Sequence, residues 1–124
     1  MEKKKRTGWQ RLWAATGYSI QGLKAAWNNE TAFLQEVVLV LVMAPVACWM
    51  GTTMTQRAAL IFSLLLVLIV ELLNSAIEAT VDRIGTEYHE LAGRAKNMGS
   101  AAVLVALIVA TGVWGFVAWQ RWCP

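Results

Sequence analysis

Glu71-Leu72-Leu73-Asn74-Ser75-Ala76-Ile77-Glu78-Ala79-Thr80-Val81-Asp82 continues an unbroken apolar run, yet it carries three acids and an amide at i, i+3, i+7 and i+11. At about 100° per residue, those four side chains line one face of one helix. Glu71 lies 14 residues past Arg57, the polar residue that opens the run. That distance is roughly 21 Å of helix, which places the carboxylate inside hydrocarbon and not at its edge. An ionisable side chain at such depth is costly, and it marks a functional site.

The rest of the chain agrees with a membrane setting. Its 124 residues are 57% hydrophobic and 15% charged, the balance of one small integral membrane domain. Three apolar stretches, 32–50, 57–81 and 98–119, are 19, 25 and 22 residues long. As helices they span roughly 28, 38 and 33 Å, so each crosses a bilayer core of about 30 Å. The second is too long for the core, and its polar end projects. Transmembrane helices are therefore expected over 32–50, 57–82 and 98–119. Residues 7–29 precede them with apolar positions Trp9, Leu12, Trp13, Thr16, Ile20, Leu23 and Trp27 at near-helical period. This reads as an amphipathic helix on the membrane surface, an anchor if its tryptophans and lysines are taken singly. The fold class is thus all-α and integral to the membrane.

Nine of the 11 basic residues precede the first span or separate the second from the third: Lys3, Lys4, Lys5, Arg6, Arg11, Lys24, Arg83, Arg94 and Lys96. The positive-inside rule puts the N-terminus and the 83–96 segment in the cytoplasm and the C-terminus outside. All eight acids fall in the cytoplasmic half. Trp27, Trp49, Trp119 and Trp122 sit where interfacial belts belong, whereas Trp114 lies deeper with no evident reason. The basic start is followed by no apolar signal core, so the chain is expected to be kept whole. Cys48 and Cys123 both fall near the outer face and are expected to be free thiols, buried or at the interface. No nucleic-acid partner is expected.

Glu30, Glu36, Glu71, Glu78 and Asp82 are expected to face one cavity on the cytoplasmic side, too many acids for three helices to bury. Oligomerisation is the natural remedy. Clustered carboxylates repel unless cations balance them, which suits magnesium with a polyphosphate. Gly17 to Lys24 resembles a phosphate loop but fails it, because Leu23 separates Gly22 from Lys24 and no strand precedes. Glu87-Tyr88-His89-Glu90-Leu91-Ala92-Gly93-Arg94-Ala95-Lys96 reads on composition as a solvated loop; it also offers phosphate donors and, in Tyr88 and His89, groups to flank a base. Gly85 is expected to end the second long helix, Gly93 to lie ahead of the third, and Gly99, Ala102, Ala106 and Ala110 to form a small-residue packing stripe.

The pattern Glu71-x-Leu73-Asn74-Ser75-Ala76-Ile77-Glu78-x-x-Val81-Asp82-Arg83, with Glu87-Tyr88-His89-Glu90-Leu91 and Gly93-Arg94-Ala95-Lys96, resembles the prokaryotic integral-membrane diacylglycerol kinase family. The likeness extends to Gly17-Tyr18-Ser19 and Ala25-Ala26-Trp27. It implies a homotrimer in the bacterial inner membrane, with active sites shared between neighbours and ATP as phosphate donor to a membrane lipid. Glu71 then matches the catalytic base, and Glu30 and Glu78 match the carboxylates that hold magnesium on ATP. Arg11, Tyr18, Glu30, Glu78, Glu87, Tyr88, His89, Lys96 and Asn97 match nucleotide positions. Glu36, Trp49, Arg57, Glu71 and Ser100 match the lipid's path. Asn74 and Asp82 are assigned to orientation and support. Asn97 departs from the family, which usually has Asp after that Lys. Diacylglycerol is the expected acceptor; undecaprenol, phosphorylated by other members, is the alternative. A proton-coupled transporter carrying its proton on Glu71 is the rival from another class, and it leaves the rest of the acid stripe unexplained.

Overall fold

The computed structural model describes residues 7–123, all of whose regular structure is helical: α1 (Gly8–Asn29), α2 (Thr31–Met50), α3 (Met54–Ile84) and α4 (Glu90–Trp122). The basic cluster Lys3 to Arg6 lies outside the described residues. Helices α2, α3 and α4 are each long and apolar enough to cross a membrane. At 31 and 33 residues, α3 and α4 run to about 46 and 50 Å, so both extend beyond a hydrocarbon core of about 30 Å.

The helix boundaries follow from local chemistry. Gln10 Oε1 accepts from the Thr7 N–H at 3.2 Å and ties down the start of α1. Glu30 alone separates α1 from α2, with extended backbone (φ −117°, ψ 103°). Thr53 Oγ1 accepts from the Gln56 N–H at 3.1 Å and opens α3. The corner between α2 and α3 is closed by Arg57, whose Nε donates to the carbonyls of Cys48 and Gly51, each at 3.1 Å. Those are terminal carbonyls that a finished helix leaves unpaired. A Cβ on Gly51 would lie 2.6 Å from Arg57 Cγ and 3.1 Å from the Arg57 nitrogen, so any larger residue there must displace Arg57. Gly85 caps α3, as expected from its place after the last apolar residue.

Two expectations for the third long helix need correction. The segment 87–96 is a loop only as far as His89, and Gly93 lies within α4. Helix α4 thus begins eight residues before the apolar stretch at 98. Hydropathy marks where a helix enters hydrocarbon, whereas the hydrogen-bond ladder continues into water wherever caps and pairs support it. Here His89 Nδ1 accepts from the Leu91 N–H at 3.1 Å, and Arg94 pairs with Glu90 across one turn at 3.5 Å. A single interior glycine costs only about 1 kcal/mol against these.

The core lies mainly between α3 and α4. Leu60 and Val117 meet Ala47 and Met50 of α2 at one end, with Trp114 packed alongside; Val67, Ala106 and Ala110 meet nearer the middle. Of the small-residue stripe, Gly99, Ala106 and Ala110 are buried, while Ala102 is exposed. The deep Trp114 now has a reason. Its indole N–H donates to Ser63 Oγ at 3.1 Å, and that hydroxyl donates to the Leu60 carbonyl at 2.7 Å, so neither polar group is left bare in an apolar setting. Cys48 and Cys123 are both free and exposed. Leu41, Val42, Phe62, Leu104 and Ile108 point outward, the surface a lipid-facing bundle requires.

Candidate active site

The acid stripe sits at the end of α3 that leaves the apolar region. Glu71 and Glu78 are half-buried, Asn74 is buried and Asp82 is exposed. Glu36, one and a half turns into α2, is half-buried, and its Oε1 is enclosed without a hydrogen-bond partner. Glu36 lies within range of the Glu71 charge, and Glu71 within range of the charges on Glu78 and Glu30. One chain therefore gathers four carboxylates from the α1–α2 corner, α2 and α3.

Glu30 is presented by the one-residue break between α1 and α2. Its side chain makes no capping bond, so the carboxylate remains available at the positive end of α2. Asn74 Nδ2 donates to Glu78 Oε1 at 3.3 Å, which steadies that carboxylate and leaves its other oxygen free. Lys96 reaches from α4 to α3, with Nζ 2.7 Å from Asp82 Oδ1. Asp82, hydrogen-bonded to it and opposite in charge, holds the Lys96 ammonium above its ordinary value. This exposed pair adds little stability by itself, but it fixes a cation beside the acid stripe.

The remaining predicted residues fall into three places. Asn97 and Ser100 are exposed on α4 beyond Lys96, while Glu87, Tyr88 and His89 form the exposed loop before α4. His89 caps α4 through Nδ1, a structural task that composition had left open. Arg11 and Tyr18 are exposed on α1, whose one buried residue is Ala26 near its other end. Trp49 and Arg57 lie at the opposite end of the bundle from the acids. Trp49 packs against Trp122 with ring centroids 5.6 Å apart, and Arg57 is committed to the α2–α3 corner. The structure does not bring these two to Glu71.

Two hollows lie away from the acid stripe. One hollow of about 580 Å³ is lined by Gly8, Trp9, Arg11, Leu12 and Ala15, and one of about 700 Å³ lies between α3 and α4 near Gln56 and Gln120. Neither contains the acids. Among the described residues no three acidic, histidine or cysteine side chains converge as a closed metal cage. Magnesium carried on a phosphate chain does not need one, since one or two carboxylates and several waters complete its shell. Free hard oxygens on Glu30 and Glu78 fit that mode.

Comparison with known sequences resolves the class of chemistry. The family model for prokaryotic diacylglycerol kinase matches residues 17–118. This chain belongs to that family. It is 58% identical over 115 residues to the diacylglycerol kinase of Escherichia coli strain K12, covering 93% of this chain and 94% of the relative. It is 51% identical over 111 residues to the diacylglycerol kinase of Haemophilus influenzae, covering 90% and 94%. The diacylglycerol kinase of Helicobacter pylori strain 26695 is 45% identical over 111 residues, covering 90% and 87%.

Proposed function

We propose that this protein phosphorylates diacylglycerol with ATP at the cytoplasmic face of the bacterial inner membrane, yielding phosphatidic acid and ADP. The observation that carries the reading is the arrangement of Glu71, Asn74, Glu78 and Asp82 on one face of α3 with Lys96 above it, in a chain of this family. Depth sorts the roles. Glu71 lies where a lipid headgroup reaches, and Glu78, about two turns nearer water, lies where a nucleotide reaches.

In the reaction, the lipid hydroxyl oxygen attacks the γ-phosphorus. A new O–P bond forms as the bond from that phosphorus to the β,γ-bridging oxygen breaks, and the hydroxyl proton passes to the Glu71 carboxylate. Phosphoryl transfer has a loose transition state, so positioning and charge neutralisation supply most of the catalysis. Magnesium bound with ATP supplies neutralisation of the phosphate charge, with Glu30 and Glu78 to hold it. Lys96 binds phosphate oxygens, Arg11, Tyr18, Glu87, Tyr88, His89 and Asn97 complete the nucleotide's surroundings, and Asn74 and Asp82 orient their neighbours. Glu36 and Ser100 lie on the approach of the lipid. Trp49 and Arg57, at the far end, are restricted to the lipid's tails and the α2–α3 corner. A homotrimer with sites at its subunit boundaries supplies walls for the acid face, and α1 lies on the cytoplasmic surface as an amphipathic helix.

The direct test is transfer of labelled γ-phosphate from ATP to diacylglycerol and undecaprenol in competition. Preferential labelling of diacylglycerol is expected; preferential labelling of undecaprenol reverses the substrate assignment. Glu30→Ala and Glu78→Ala should each raise the magnesium needed for half activity, since each removes a hard oxygen ligand. Magnesium curves that overlay the parent's would remove both from the metal site. Asn97→Asp places a carboxylate beside Lys96, where it accepts hydrogen bonds more strongly than an amide. A lower Michaelis constant for magnesium-ATP is expected, with the lipid constant unchanged. No change in the nucleotide constant would place Asn97 outside the site.

A further inference from the structure

Asn74 is bonded on one side and closely packed on the other. Its Nδ2 donates to Glu78 Oε1 at 3.3 Å, and its Oδ1 is enclosed without a hydrogen-bond partner. The residue is only 9% exposed, so water does not relieve that oxygen freely. The chemistry fixes which end is which, because an ionised carboxylate has no donor and must face the amide nitrogen. What occupies the other side is Gly99 of α4. A Cβ built on Gly99 runs directly into Asn74 Oδ1, with Asn74 Cγ at 3.4 Å and Ile77 Cδ1 at 3.7 Å.

We infer that Gly99 is a positioning residue for the magnesium-nucleotide site, because its missing side chain is the space that lets the Asn74 amide aim its nitrogen at Glu78. The amide is planar and rigid. Any push on Oδ1 turns the group about the Cβ–Cγ bond, a soft torsion, and swings Nδ2 off the carboxylate by the same angle. Gly99 thus sets Glu78 without touching it, and the buried start of the small-residue stripe has a task beyond helix packing. The inference rests on the reading of Glu78 as a magnesium ligand.

The test compares the parent with Gly99→Ala, Asn74→Ala, the double variant and Glu78→Ala, as purified full chains in detergent. Manganese is titrated by electron paramagnetic resonance with a non-hydrolysable ATP analogue present, and kcat is measured in parallel. Gly99→Ala and Asn74→Ala should each weaken manganese binding about tenfold, the worth of one hydrogen bond to a charged group, and the double variant should be no weaker than either. Parent-like binding by Gly99→Ala, or losses that multiply in the double variant, overturns the inference. If Glu78→Ala binds manganese as the parent does, the metal reading of Glu78 fails instead. The inference is then decided by kcat in the same proteins, where equal losses in the singles and the double support it and multiplied losses overturn it. Should Gly99→Ala not fold, the double variant decides: recovery of folded protein on removing the amide supports the clash, and continued misfolding overturns it.

Discussion

Glu71→Gln should lower turnover at least about 100-fold, the usual worth of a general base, while the protein folds and binds nucleotide as before. Glutamine keeps the size and the hydrogen-bonding oxygen, so the substitution isolates the loss of a proton acceptor. It also removes one negative charge from a cluster in which Glu71 feels both Glu78 and Glu30. A folded, nucleotide-binding variant with low turnover separates lost catalysis from misfolding. Initial rates of phosphate transfer to diacylglycerol, with nucleotide binding measured separately, provide the check. Near-normal rates would end the assignment of Glu71 as base.

The spans and the acid face were legible in the chain because both are one-dimensional signals: long apolar runs, and polar residues recurring at helical spacing within one of them. The contacts that complete the site were not. Nothing about Trp114 taken alone points to Ser63, 51 residues away, since that pairing exists only once α3 and α4 pack. Glu90 to Lys96 reads as loop because composition there is polar, yet the His89 cap and the Glu90–Arg94 pair carry the helix through it. Resemblance places Arg57 on the lipid's path; that its Nε also serves two carbonyls at the α2–α3 corner is a use that residue type and position do not announce. Gly99 was visible as a small residue in a stripe. Its relation to Asn74 depends on the rotation of α4 against α3, which no periodicity within either helix specifies. The number of acids points to a shared cavity, and how such a cavity closes depends on how many helices surround that face, which no single chain's periodicity specifies.

Arg11 lies 15 residues before Ala26, the one buried residue of α1. That is roughly 22 Å of helix beyond the packed end, so Arg11 extends away from its own chain's acid face. If Arg11 contacts nucleotide phosphates, a cyclic trimer lets it serve a neighbour's Glu71. Arg11→Glu sets a carboxylate against phosphate and should be nearly inactive, as should Glu71→Gln. Mixed in equal amounts and reassembled, the two should recover about one quarter of parental activity, because a site drawing on two chains has one chance in two of an intact residue from each. Sites built within one chain predict no recovery at any ratio, since every subunit then carries a defect. Activity of verified mixed oligomers, measured across mixing ratios, separates the cases, and a flat line at the level of the two single variants would place Arg11 and Glu71 in the same subunit's site.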